Sequence, residues 1–149
     1  MKDLTQEEKD ILLRDLASRL PYGVNVEYTY KVTVIATNEE EILTKPLYLY
    51  SINTLDDMTV SGIDDDGYRE ICFLSEVKPY LFPLSSMTEE QGKELEKIDP
   101  EFYSLICENG DIYISMDVRG YDWLNKNHFD YRGLIPMGLA IDATNLNIY

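Results

Sequence analysis

The chain is poor in the residues that build metal or redox centres. It has two cysteines, Cys72 and Cys107, and one histidine, His128, among 149 residues. A structural zinc site takes four Cys or His ligands, and the chain has three in total, so no metal site is expected. The cysteines form no CxxC pair, and both are expected to be reduced thiols packed as small hydrophobes. No apolar run approaches the roughly 18 residues a membrane helix needs. The opening Met1-Lys2-Asp3-Leu4-Thr5-Gln6-Glu7-Glu8 is polar and acidic, unlike a secretory signal. These absences point to a cytoplasmic protein with no membrane association. The eight glycines are scattered singly, so no phosphate loop or dinucleotide fingerprint exists and no cofactor is indicated. Ser85 and Ser86 lie outside any G-x-S-x-G elbow.

Positive charge is scarce as well. Twenty-eight acids face 13 bases, a net charge of -15. Residues 1–35 hold six acids and five bases (-1), residues 36–76 ten and two (-8), and residues 77–149 twelve and six (-6). A field of this sign repels phosphate backbones, which disfavours direct nucleic-acid binding; it suits solubility first and a basic protein partner second. Hydrophobic residues make up 44%, enough for the core of a single domain spanning residues 1–149.

Thr5-Gln6-Glu7-Glu8 reads as a capping box. Ile11, Leu12, Leu16 and Leu20 follow at helical spacing, and Pro21 and Gly23 end the helix. Val24 to Val34 then alternates strictly between apolar and polar residues, the signature of a strand with one buried face. Asn38-Glu39-Glu40-Glu41 reads as a charged turn and residues 46–52 as the second strand, with Pro46 at its entrance or on an edge. Residues 58–63 and 68–74 form a hairpin around Asp64-Asp65-Asp66-Gly67. Lys78 to Leu84, with two prolines, reads as an ordered apolar connection. Ser86 or Thr88 caps a short helix over residues 89–97, and Asp99-Pro100 opens another. Residues 111–116 read as a strand, and Asp117 as the cap of a helix through Gly120–Lys126. The tail from His128 has no clear period. The fold class is α+β: a mostly antiparallel sheet, an N-terminal helix packed on one face, and short C-terminal helices.

Three features are candidates for chemistry. Asp64-Asp65-Asp66-Gly67 invites a calcium reading, but Gly62 and Phe73 stand where an EF-hand loop needs its first ligand and its bidentate glutamate. His128, Asp130 and Arg132 are the candidate catalytic residues: a base, its orienting carboxylate and an anion-binding arm. The alternative for the same residues is a helix end and a fastened turn. Twelve tyrosines, among them Tyr28 and Tyr30 on one face and Tyr48 and Tyr50 on another, offer sheet packing or a stacking platform.

Val77 to Glu90 (VKPYLFPLSSMTEE), Asp122 to Ile135 (DWLNKNHFDYRGLI) and the opening helix through Leu20-Pro21-Tyr22-Gly23 resemble an uncharacterised group of small acidic proteins encoded by gut bacteria, their prophages and mobile elements. The resemblance implies no activity, but it implies an accessory protein of a phage or mobile element. The leading functional expectation is an accessory protein that binds a basic protein. Its candidate binding residues are Glu39, Glu40, Glu41, Asp56, Asp57, Asp64, Asp65 and Asp66. The alternatives are a small enzyme centred on His128, Asp130 and Arg132, or a binder of a small polar or nucleotide-like ligand. A cleft gathering Arg132 and tyrosine hydroxyls would favour the last.

Overall fold

A computed structural model describes residues 3–55, 58–109 and 118–149, with the side chains of residues 105 and 107–109 not described. The chain divides into two compact units, Met1–Tyr80 and Leu81–Tyr149. In the first unit, the Thr5 hydroxyl accepts from the Glu8 amide at 3.2 Å, and the Glu8 carboxylate accepts from the Thr5 amide at 2.8 Å. This reciprocal cap opens α1 (Gln6–Arg19). The helix buries Leu12 and Leu16, and also Asp15 and Arg19. Arg19 Nε and Nη2 donate to the two oxygens of Asp15, both at 2.8 Å. The apolar stripe marks the two leucines and gives no sign of this charged pair.

Five strands follow: β1 (Val24–Val34), β2 (Glu39–Asn53), β3 (Thr59–Ile63), β4 (Arg69–Phe73) and β5 (Val77–Pro83). They lie in the order β4-β3-β2-β1-β5, each neighbour antiparallel. Val24, Val26, Leu47, Leu49, Val60, Cys72 and Val77 are buried, and the register places them on the face where α1 leaves Leu12 and Leu16 buried. Fully burying a Val or Leu contributes about 1.5–3 kcal/mol, so this layer dominates the unit's stability.

Two expectations need correction. Glu39, Glu40 and Glu41 are strand residues, and the turn is shorter, with Asn38 in the left-handed region (φ 56°). Glutamate is a weak strand former, but here it pairs with the strongly patterned β1 along an unbroken ladder, Val34↔Glu39 to Val24↔Leu49. Residues 78–84 are not a mere connection either, because Val77–Pro83 is a strand. Pro79 in this strand and Pro46 in β2 are tolerated through their phase in the ladder. Pro79 faces Val26 from one side of β1, and Pro46 faces Glu27 from the other. Both prolines avoid a donor position on β1 only if Glu27 bonds toward β5 and Val26 toward β2. The amides of Glu40, Ile42 and Thr44, in phase with Pro46, then point away from β1.

In the second unit, residues 82–83 at the end of β5 pair in parallel with β6 (Phe129–Asp130), and β7 (Ile141–Asp142) also joins β5. Among its described residues are three helices: α2 (Glu89–Ile98), α3 (Pro100–Asn109) and α4 (Val118–Lys126). Thr88 and Gln91 form a second reciprocal cap, and Asp99 accepts from the Phe102 amide at 3.0 Å to start α3. Leu95, Phe102, Trp123, Leu124 and Phe129 form its core. Trp123 stacks on Phe129 with centroids 5.7 Å apart. Gly120 is needed for this packing, since a Cβ there would come within 2.5 Å of the Phe102 ring. The strand expected at residues 111–116 and the Asp117 cap lie outside the described residues. The architecture is the α+β arrangement read from the sequence.

Candidate functional site

The acidic residues gather at one end of the first unit's sheet. β5 pairs with β1 at residues 26–28, and β3 pairs with β2 from Tyr48 onward. Between these limits and the turn, residues 29–34 and 39–44 form a ribbon of two strands, roughly 20 Å long at 3.3 Å per residue. Its β2 half is exposed throughout, from Glu39 to Thr44. Apolar groups are exposed too: Ile35 is 98% accessible and Ile42 57%. β3 runs back toward the same end, so the turn holding Asp64, Asp65 and Asp66 projects in the direction of the ribbon. The turn reaches the level of Lys45, four residues along β2 from Glu41, or about 13 Å. Asp56 and Asp57 lie outside the described residues.

The acids at this end do different work. Asp64 Oδ1 accepts from the amides of Tyr68 at 2.8 Å and Asp66 at 3.2 Å, and its Oδ2 accepts from Lys45 at 2.8 Å. Lys45 also donates to Glu70 at 2.6 Å, and its ammonium lies 5.7 Å from the centre of the Tyr30 ring. The Lys45 bond, helped by the Tyr68 amide, holds the Asp64 carboxyl below its ordinary value. Bonds to Asp64 and Glu70 push the Lys45 ammonium up. Asp64 is therefore a builder of its turn, while Asp65, Asp66 and the three glutamates remain exposed. Sequence reasoning singled out neither Lys45 nor Glu70, because their meeting depends on the β2–β3–β4 register. Among the described residues no group of three or more His, Cys, Asp or Glu is placed to hold a metal.

Tyr28 and Tyr30 stack at 5.2 Å in phase with Val24 and Val26 along β1, whereas Tyr48 and Tyr50 are about half exposed, beside the β2 bulge. Cys72 is buried and forms no disulfide. Burial, with Glu76 and Glu70 adding to it, pushes its thiol from 9.0 up to about 12. Burial and the nearby Cys72 raise Tyr28 from 10.0 to about 12. The unfolded chain releases these protons at lower pH than the folded chain does, so stability should be full below pH 9 and fall as pH rises toward 12. Urea midpoints measured across that range should drop, and Cys72→Ala should flatten the drop. A thiol held this high is no nucleophile near neutrality.

His128, Asp130 and Arg132, all in the second unit, are tied to separate tasks. Asp130 is buried, and its two oxygens accept from the amides of Leu134 at 2.9 Å and Ile135 at 2.8 Å. His128 follows α4 with φ 61°, and its ring stacks on Tyr149 at 3.7 Å. Arg132 folds over the Tyr131 ring, 4.8 Å from its centre, and donates to the Tyr131 hydroxyl at 3.0 Å. That hydroxyl in turn donates to Asn125 at 3.0 Å. Asp130 thus fastens the loop that follows it, as the structural alternative for these residues has it.

The second unit also holds a half-open cavity of about 370 Å³, bounded by Leu84, Met87, Tyr103 and Ile106 with Ser85, Thr88 and Glu89 at its polar edge. Arg132 does not line it, so this cavity is not the cleft of Arg132 and tyrosine hydroxyls that would favour a nucleotide-like ligand. Among the described residues no helix is long and apolar enough to cross a membrane. In comparisons with known proteins, no family model matches the chain, and no curated protein or solved structure matches it significantly.

Proposed function

We propose that the chain acts by binding a basic protein partner at the acidic end of its first unit, as an accessory protein of a phage or mobile element. The observation that supports this reading is the placement of Glu39, Glu40, Glu41, Asp65 and Asp66, all exposed, at one end of a single sheet. Charges converging in this way create a field that steers an oppositely charged partner, which charges spread evenly over a surface do not. The accessory role rests on the resemblance carried by residues 77–90 and 122–135.

The test is to capture the partner from the native host and measure its association with two variants. One carries Glu39→Gln, Glu40→Gln and Glu41→Gln, and the other Asp65→Asn and Asp66→Asn. Each should slow association on the order of tenfold at low salt, with little change in dissociation, and the difference should shrink as salt rises. Asp64 is left intact because its loss would disturb the turn. Association indifferent to both the substitutions and the salt would overturn the reading.

A further inference from the structure

We infer that the outer edge of β2, Glu39–Thr44, is a docking edge that takes up an extended basic segment of the partner as an added strand. The inference rests on the basic-partner reading and specifies how the contact is made. The ladder phase fixed by Pro46 and Pro79 turns the amides and carbonyls of Glu40, Ile42 and Thr44 away from β1. β3 takes up that side of β2 only from Tyr48 onward, and the six residues Glu39–Thr44 are all exposed. An open edge of this kind is a template for another strand, with main-chain bonds supplying affinity and flanking side chains selecting the occupant.

Charge selects a basic occupant and selects this edge over its competitors. A strand added here runs beside Glu39, Glu41 and Leu43 on one face, and Glu40, Ile42 and Thr44 on the other. An alternating segment sets its cations beside Glu39 and Glu41 and its apolar side chains beside Ile42, on the face where Glu40 is paired with Lys31 at 3.4 Å. The opposite edge of the ribbon, residues 29–34 of β1, carries Lys31 and no acid. The β4 edge exposes Ile71 and Phe73 but mixes Arg69 with Glu70, so it favours neither sign. A second copy of this chain brings its own net charge of -15 and is repelled. Pro46, which lacks a donor, ends the open stretch where the Lys45–Asp64 bridge begins.

The test uses a blocked heptapeptide, Lys-Val-Lys-Val-Lys-Val-Lys, and two analogues N-methylated either at its lysines or at its valines. N-methylation removes donors from one edge of the peptide and leaves its charge unchanged. One analogue should lose at least tenfold in affinity while the other binds as the parent does. On binding the parent, exchange of the Glu40, Ile42 and Thr44 amides should slow at least tenfold. Ile42→Pro, in the phase Pro46 already tolerates, should keep the fold and abolish that binding. The peptide analogues decide the matter if that variant fails to fold. Equal binding by all three peptides would overturn strand addition and leave the basic-partner reading standing on its own test. Protection at residues 29–33 or 69–73 would overturn the choice of edge. Protection without peptide that grows with protein concentration would make the occupant a second copy and overturn the inference, as would failure of the parent peptide to bind.

Discussion

Replacing Asp15 with alanine should cost about 3–5 kcal/mol of folding stability, because it leaves a fully buried guanidinium without its carboxylate. Asp15 and Arg19 are each 0% accessible and are joined by two bonds of 2.8 Å. Neutralising only one partner exposes the desolvation cost that the pair otherwise offsets. The double change Asp15→Leu with Arg19→Met should recover most of the loss, since a buried pair exchanged for well-packed apolar side chains is often neutral. Urea unfolding followed by circular dichroism would show both effects. With total stabilities commonly 5–15 kcal/mol, the single change threatens folding outright. A loss below about 1 kcal/mol would mean that the other groups around Arg19, or water, satisfy its guanidinium.

Asp130→Ala should lower the stability of the second unit by about 3 kcal/mol, read from the fluorescence of its sole tryptophan, Trp123. The estimate follows from two charge-assisted bonds, each contributing about 1.5–3 kcal/mol, with one of the orphaned amides buried. Asp130→Asn keeps one acceptor oxygen and should fall between alanine and the parent. The same experiment separates a structural from a catalytic carboxylate. A variant that keeps its full stability yet loses a measurable activity would return Asp130 to the catalytic role its sequence neighbourhood suggested.

Local patterns carried the fold well where they were strong. The Thr5–Glu8 box, the α1 stripe and the eleven-residue alternation of β1 are each decided by neighbours in sequence, and the structure has all three. What escaped were features that depend on distant partners. Glu39–Glu41 looks like a turn until β1 is seen to dictate its pairing. Lys78–Leu84 looks like a connection until the phase of Pro79 opposite Val26 is known. The candidate site was legible in part. Composition located the acidic segment, but only the register showed that Asp64 is tied to Lys45 while Asp65 and Asp66 stay exposed. His128, Asp130 and Arg132 were conspicuous as residue types, and the alternative read for them, a helix end and a fastened turn, matches the place of His128 after α4 and the bonds of Asp130 to the Leu134 and Ile135 amides.

The position of β1 between β2 and β5 has a kinetic consequence. β1, β2, β3 and β4 follow one another closely in sequence, so their pairing is local and forms early. β5 closes the other side of β1 through Val26↔Pro79 and Tyr28↔Val77, about fifty residues later in the chain. Synthesis runs from the N-terminus, so the meander emerges from the ribosome first. Until Val77 follows it, the Val24–Tyr28 edge stands open beside an apolar row, the kind of surface on which nascent chains aggregate. The interval between the emergence of Phe73 and that of Pro79 from the ribosome is thus a vulnerable one for this sheet, and a translational pause placed far enough downstream to hold the chain at that stage should lower the soluble yield.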